Sequence, residues 1–149
     1  MNLGFFVQTN GGTEQNEKIY TFLNNSIENK NLHNATVFFN DVAYNPIVPK
    51  FGMFNSANLW CFKGNLICTS VDNLKKAESV VNNIKVAYLF NSKQENVESN
   101  LFDFVGLSKR YKVITNSVED QSRFFRLTGV NPELVESWSV EKLGEIFDE

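Results

Sequence analysis

The chain has 149 residues, and its 42% hydrophobic content with 14 phenylalanines is typical of one globular domain rather than of a disordered segment. Its net charge of −3, without a block of basic residues, argues against nucleic acid as the main partner. No stretch reads as a membrane span or a signal peptide, so we expect a single-domain cytoplasmic protein over residues 1–149.

The first predicted unit is a strand, a glycine turn and a helix. Leu3 to Val7 is short and almost entirely apolar, as in a strand covered on both faces. Gly11 and Gly12 follow it, and Thr13 is a suitable helix N-cap. Apolar residues then recur at helical spacing: Ile19, Phe22, Leu23 and Ile27. Free backbone N–H groups at this helix start suit a phosphate or a carboxylate, although a tight turn without a ligand explains the same residues.

A second strand is predicted from Ala35 to Phe39. The stretch from Val42 to Asn55 contains Pro46 and Pro49, and it reads as a long irregular loop with at most one helical turn. A loop of this length inside a compact domain is often functional.

Residues 58–69 contain two short apolar runs, Asn58–Phe62 and Leu66–Thr69. We interpret them as separate parallel strands, with a hairpin across the Gly64-Asn65 turn as the alternative. Cys61 and Cys68 lie in these runs, and we expect two buried, reduced thiols, or a disulfide if the hairpin forms.

The second half of the chain alternates regularly. Predicted strands are Ile84–Phe90, Lys112–Thr115 and a short one at Leu134-Val135. Predicted helices follow four cap signals: Thr69 or Ser70, Ser92 with Glu95 as a capping box, Ser117 with Asp120, and Ser139. The first of these helices is expected to reach Val81 and to stop at Asn82-Asn83, the second carries Val97, Leu101, Phe104 and Val105, and the third ends at Gly129.

Strands that alternate with helices predict an α/β fold with a mostly parallel, doubly wound sheet of Rossmann-like type. In such a sheet ligands bind beyond the carboxyl ends of the strands, at the point where the strand order reverses. The residues at those ends are small and polar, and we predict ligand binding by Asn10, Gly11, Gly12, Thr13, Ser70, Asn91, Ser92, Asn116 and Ser117. Helix capping alone is the competing explanation for most of them.

Candidates for acid–base chemistry are Glu14, Asp41 and, with less support, Asp72. Trp60 and Trp138 are candidates for stacking on a sugar, although core packing for Trp60 and a helix-end contact for Trp138 are simpler readings. With one histidine and two cysteines the chain predicts neither a zinc site nor a serine triad, and we expect no metal and no cofactor. The acidic residues from position 133 onward read as a solvated face.

The string Gly11-Gly12-Thr13-Glu14, between an apolar strand and a helix, resembles the Gly-Gly-x-Glu signature of GT-B glycosyltransferases. The segment Val113–Ser117, followed by a helix and Gly129-Val130, is similar to the end of their N-terminal Rossmann-like domain. The resemblance implies that Gly11, Gly12 and Glu14 face a cleft near the donor phosphates and the acceptor. It also implies a second Rossmann-like domain, with a basic pair and a Glu-x7-Glu motif, that holds most of the sugar nucleotide; we expect another chain to supply it.

The sequence therefore predicts a glycosyltransferase-like domain that binds a sugar nucleotide or a sugar acceptor and is incomplete as an enzyme by itself. The alternative is a non-catalytic α/β module that binds a ligand, a protein partner or another copy of itself.

Overall fold

The computed structural model describes residues 1–80 and 83–148. Within them the chain forms an all-parallel sheet of seven strands flanked by helices, which confirms the predicted α/β fold class. The strands are β1 (Leu3–Thr9), β2 (Ala35–Asp41), β3 (Gly52–Asn55), β4 (Gly64–Cys68), β5 (Ile84–Leu89), β6 (Lys112–Thr115) and β7 (Glu133–Leu134). The helices are α1 (Glu14–Glu28), α2 (Val71–Glu78), α3 (Leu101–Arg110), α4 (Val118–Thr128) and α5 (Val140–Ile146).

The strand order is β3-β2-β1-β4-β5-β6-β7. The chain starts at β1, adds β2 and β3 on one side, and then crosses back to place β4 on the other side of β1. Strand β1 therefore pairs with β2 (Phe5 beside Val37) and with β4 (Phe5 beside Ile67). The order reverses between β1 and β4, which is where an open parallel sheet leaves a crevice.

Two hydrophobic cores lie on opposite faces of the sheet, because neighbouring side chains on a strand point to opposite sides. Phe5 belongs to the core under α1 and α5, whereas Phe6 belongs to the core under α2, α3 and α4. Both phenylalanines are fully buried, as are Ile19 of α1 and Phe104 of α3. Burial on both faces explains why β1 reads as an unbroken apolar run rather than an alternating one.

Four of the predicted helix caps are confirmed. Thr13, Ser70, Ser117 and Ser139 each accept a hydrogen bond from the backbone N–H three residues later, at 3.1 to 3.2 Å. Gly129 ends α4 with a φ of 77°, the left-handed conformation that favours glycine. The four caps set the helix starts beside the carboxyl ends of β1, β4, β6 and β7.

The prediction for residues 58–69 was correct for its second run and wrong for its first. The run Leu66–Thr69 falls largely in β4, which lies parallel to β1, whereas Asn58–Phe62 forms no strand, so the hairpin is absent as well. Ser56–Cys61 is a 3₁₀ helix, started by the Asn55 side chain accepting from Ala57 N at 2.9 Å, and only β4 follows it as a strand. The helix leaves Cys61 exposed while Cys68 is buried in β4, and both cysteines are free. The stretch 42–55 was predicted as a loop, but its last four residues form strand β3. They pair in parallel with the free edge of β2.

The predicted capping box at Ser92 is not formed. Residues 91–100 run mainly in turns, and α3 begins only at Leu101. The Glu95 carboxylate bonds to other elements instead, as described below. Helix α2 ends at Glu78, and Val81 and Asn82, where the sequence predicted its end, lie outside the described residues.

None of the helices in residues 1–80 and 83–148 combines the length and the apolar character that a membrane crossing requires.

Candidate functional site

A cavity of about 480 Å³ lies beyond the carboxyl ends of β1 and β4, where the strand order reverses. Its walls come from the strand ends, the first turns of α1 and α2, and the turn segment 94–100. Every residue that lines this switch-point cavity is polar, and the charged ones are two acids, Asp72 and Glu95. The cavity therefore presents carboxylates, amides and hydroxyls, without a basic side chain among its lining residues.

A larger open groove of about 1220 Å³ runs beside it, between α1 and the loops that follow β5, β6 and β7. Gln15 and Gln94 line both spaces, so the rim groove and the switch-point cavity adjoin. The charged residues of the rim groove are mostly acidic: Glu14, Glu17, Asp120, Glu136 and Glu141, against Lys18 and Lys93. Trp138 lines the groove with one side while it packs on Phe5 and Phe22 with ring centroids 5.3 and 6.2 Å away.

The glycine turn after β1 is held by its own hydrogen bonds. Gly11 N donates to Thr9 Oγ1 at 3.1 Å, Gly12 N donates to Tyr44 O at 3.0 Å, and Thr13 N donates to Gly11 O at 3.0 Å. The sequence predicted that these backbone N–H groups would bind an anion. An anion could accept hydrogen bonds from them only by displacing their present acceptors.

Close packing of the 42–50 loop explains the two glycines. A Cβ on Gly12 would lie 2.5 Å from Pro46 Cδ, and a Cβ on Gly11 would lie 2.8 Å from Ala43 Cβ. Both separations are shorter than real Cβ contacts, so a side chain at either position would push the loop away. Neither glycine lines the two cavities, and their predicted ligand contact stays a prediction.

Asn16 and Tyr20 fasten the same turn from α1. Asn16 Nδ2 donates to Thr9 O at 2.8 Å and to Gly11 O at 2.9 Å, and Tyr20 OH donates to Asn10 O at 3.0 Å. Burial raises the pKa of Tyr20 to about 12, so the phenol keeps its proton and acts as a donor. Sequence analysis missed Asn16; the signal was a polar residue at the buried position of an amphipathic helix.

Glu95 is held by hydrogen bonds from two other elements, and its surroundings shift its pKa. Its Oε1 accepts from Tyr88 OH at 2.9 Å and from Val71 N, in the first turn of α2, at 2.8 Å. Its Oε2 has a single, longer contact, to Asn100 Nδ2 at 3.4 Å. Burial raises the pKa of Glu95 above its usual value and outweighs the two hydrogen bonds that lower it; the Asp72 charge also raises it. The cavity thus contains a half-buried carboxylate that is fixed by two hydrogen bonds at Oε1 and has one long contact at Oε2.

Burial also raises the pKa of Tyr88, and the adjacent Glu95 charge raises it further. Tyr88 therefore remains a phenol and donates to the carboxylate. Sequence analysis did not single out Tyr88, and it read Glu95 only as a helix cap, because nothing in the local pattern reveals a contact between β5, α2 and the segment that follows β5.

The predicted site residues are divided between the switch-point cavity, the rim groove and positions outside both. Thr13 and Ser70 line the switch-point cavity, whereas Glu14, Asn91, Asn116 and Ser117 line the rim groove. Ser92 lines neither space and donates to Asp120 Oδ1 at 2.6 Å. Asn10 is also outside both, and its Oδ1 accepts from Ala43 N at 2.7 Å.

The two predicted catalytic acids do not line a common cavity. Glu14 is 79% exposed at the rim groove and pairs with Lys18 at 3.6 Å. Asp41 ends β2 outside both cavities and accepts from Gln8 Nε2 at 2.8 Å. Trp60 is 54% exposed on the 3₁₀ helix, so its expected core packing was wrong.

In the part of the chain that the structure describes, no three His, Cys, Asp or Glu side chains are grouped in a way that could hold a metal ion. Comparison with models of protein families, with curated proteins and with solved structures gave no significant match. The chemistry of the rim is thus the basis for a functional proposal.

Proposed function

We propose that this protein is a glycosyltransferase-like domain that binds the sugar acceptor, rather than the phosphates of a sugar nucleotide, across the switch-point cavity and the rim groove. The observation that carries the proposal is the lining: polar throughout in the cavity, acidic on balance in the groove, and without a basic side chain in the cavity.

Sugar hydroxyls both donate and accept hydrogen bonds, so carboxylates, amides and hydroxyls are suitable partners for them. Asp72 and Glu95 can accept from hydroxyls, and Gln94, Asn96 and Ser99 can do both. Trp138 adds an aromatic surface at the edge of the groove, a feature that suits the apolar face of a sugar ring.

A nucleotide diphosphate fits the same surface poorly. Phosphates are usually held by arginine, lysine or unpaired backbone N–H groups. Lys18 and Lys93 are the basic residues of the groove, Lys18 already pairs with Glu14, and the N–H groups of residues 11–13 are bonded within the protein.

The resemblance to GT-B enzymes assigns donor binding to a second Rossmann-like domain. In glycosyl transfer an acceptor hydroxyl attacks the anomeric carbon, the nucleotide diphosphate leaves, and the hydroxyl proton passes to a base or to the leaving group. Glu14, in the rim groove, is a candidate base within this proposal, whereas Asp41 lines neither space and bonds to Gln8, a lining residue of the switch-point cavity.

A non-catalytic binding module is the second candidate. It is favoured by the wide exposure of Glu14, because a base in water lacks the tuned environment that enzymes give to such groups.

Ligand binding is tested by recording amide chemical shifts of ¹⁵N-labelled protein with a panel of neutral mono- and oligosaccharides, and separately with UDP, UDP-glucose and GDP-mannose. We expect a neutral sugar to shift the amides of Gln94, Asn96 and Ser99. We also expect Gln94→Ala to raise its dissociation constant about fivefold, the equivalent of one lost hydrogen bond.

Lys63→Ala is the matched control, since it removes an exposed side chain just before β4, at the amino ends of the strands and remote from the cavity and the groove. Shifts confined to the nucleotides would overturn the assignment to an acceptor. The absence of shifts with every ligand would leave the rim without a carbohydrate role.

A further inference from the structure

The outward side of α3 exposes an apolar surface that nothing in the described chain covers. Phe104 and Leu107 are buried against the sheet, so residues 102, 105, 106 and 109 lie on the opposite side of the helix. Phe102 is 95% exposed, and Val105 is 38% exposed one turn later. Leu101, one turn before Val105, is 43% exposed, so three neighbouring apolar side chains form a patch of the kind that marks an interaction site.

Gly106 lies beside these residues in the middle of α3. Glycine weakens a helix interior relative to alanine. A Cβ at Gly106 would meet no atom within 4 Å, so packing inside this chain does not require the glycine. Close approach of a second molecule would require it.

Helix α4 packs beside α3 and continues the same surface. Both helices connect parallel strands, so they run in the same direction. On the exposed face of α4, Glu119 lies near the start of the helix and Arg126 near its end. On the exposed face of α3, Lys109 lies near the end of the helix. Within residues 1–80 and 83–148, none of these three has an ion-pair partner.

We propose that this face is a two-fold interface with a second copy of the chain, in which α3 packs antiparallel on α3 and α4 packs antiparallel on α4. In a two-fold interface the same surface serves both partners, so it must be complementary to itself. An axis level with Val105 and Gly106 sets Phe102 of one copy opposite Lys109 of the other. The proposed axis also crosses α4 midway between Glu119 and Arg126, so Glu119 of each copy lies opposite Arg126 of the other.

This register accounts for Gly106, Phe102, Lys109 and the charged ends of α4. Gly106 allows the partner's Val105 to approach the backbone, and Phe102 packs on the stem of the partner's Lys109 with its ammonium near the ring. The acidic start and the basic end of α4 become two interchain ion pairs. Because the face spans only helices of 10 and 11 residues, we expect a weak dimer with a micromolar dissociation constant.

The first test is sedimentation velocity of the full chain from low micromolar to submillimolar concentration. We expect a reversible monomer–dimer equilibrium that Phe102→Ser weakens about tenfold or more. Tyr44→Ser is the matched control, because it removes an aromatic side chain that is 84% exposed on the 42–50 loop, away from α3 and α4. This control should leave the equilibrium unchanged.

Charge reversal tests the register. Glu119→Arg alone places four like charges in two pairs across the axis, and Arg126→Glu alone does the same, so each should abolish the dimer. The double variant reverses both members of each pair and should restore dimerisation close to the wild-type level. Circular dichroism establishes that every variant is folded.

A wild-type chain that stays monomeric up to submillimolar concentration would overturn the proposal. A dimer that survives Phe102→Ser would place the interface elsewhere, and a double variant that stays monomeric would refute the two-fold pairing of Glu119 with Arg126.

Discussion

At the scale of single residues, the Glu95 carboxylate is held by Tyr88 and Val71 N and is partly withdrawn from water. Its pKa in the folded protein is raised, so the native state binds this proton more tightly than the unfolded chain does. The free energy of unfolding therefore falls as the pH rises from the usual glutamate pKa through the raised one.

Glu95→Gln keeps an oxygen that accepts from Tyr88 and Val71 but has no proton to lose. We expect its melting temperature to rise relative to the wild type as the pH increases from the usual glutamate pKa, about 4.3, through the raised pKa of Glu95. The measurement is the difference between the two melting curves at each pH, which removes contributions from other groups. Glu98→Gln, an exposed acid of the same segment, is the control, and parallel profiles for wild type and Glu95→Gln would contradict the expectation.

Alanine substitutions at two glycines are expected to change the stability in opposite directions. Gly12→Ala brings a Cβ to 2.5 Å from Pro46 and should destabilise the protein by about 1 to 3 kcal/mol. Gly106→Ala adds a Cβ in open space on a helix and should stabilise the monomer by about 1 kcal/mol. Chemical denaturation at low protein concentration measures both, and effects of the same sign would contradict at least one of the two predictions.

At the scale of elements, Ser117 shows how a predicted site residue is also a structural one. Its hydroxyl accepts from Asp120 N at 3.2 Å and caps α4, so Ser117→Ala should lower the free energy of unfolding by about 1 kcal/mol. Ser122→Ala, on the exposed side of the same helix, is the control and should change it by less than about 0.5 kcal/mol. If Ser117→Ala left the free energy of unfolding unchanged and abolished sugar binding, the hydroxyl would instead be assigned to ligand binding.

Elements with strong local signals were predictable. The caps at Ser70, Ser117 and Ser139, together with Gly129, define three helices, because the capping group and the helix it caps are neighbours in sequence. Residues 58–62 had only a short apolar run, which fits a strand or a buried turn of helix equally well. The structure forms a 3₁₀ helix there, capped by Asn55, with Leu59 buried in the core that contains Phe6.

At the scale of the whole molecule, the seven strands bring distant residues to one edge of the sheet. Thr9, Ser70 and Glu95 line one cavity although 86 positions separate the first from the last. The polar rim was predicted because strand ends and helix starts are visible in the sequence. The contribution of residues 94–100 was not, because the sequence predicted a helix there, whereas the structure places these residues mainly in turns.

The two proposed surfaces are separate in the fold. The carbohydrate site lies at the carboxyl ends of the strands, whereas the dimer face is the outer side of α3 and α4. We therefore expect Phe102→Ser to change the oligomeric state without abolishing sugar binding, which the two experiments described above measure independently.

The sequence by itself determined the alternation of strands and helices, the helix caps and the apolar character of β1 and β5, because these depend on residues within a few positions of one another. Only the tertiary structure decided the strand order, the packing of the 42–50 loop on the glycine turn, and the attachment of Glu95 to Tyr88 and α2. Each of these joins segments that are remote in the chain, and which segments meet depends on how the two cores are filled.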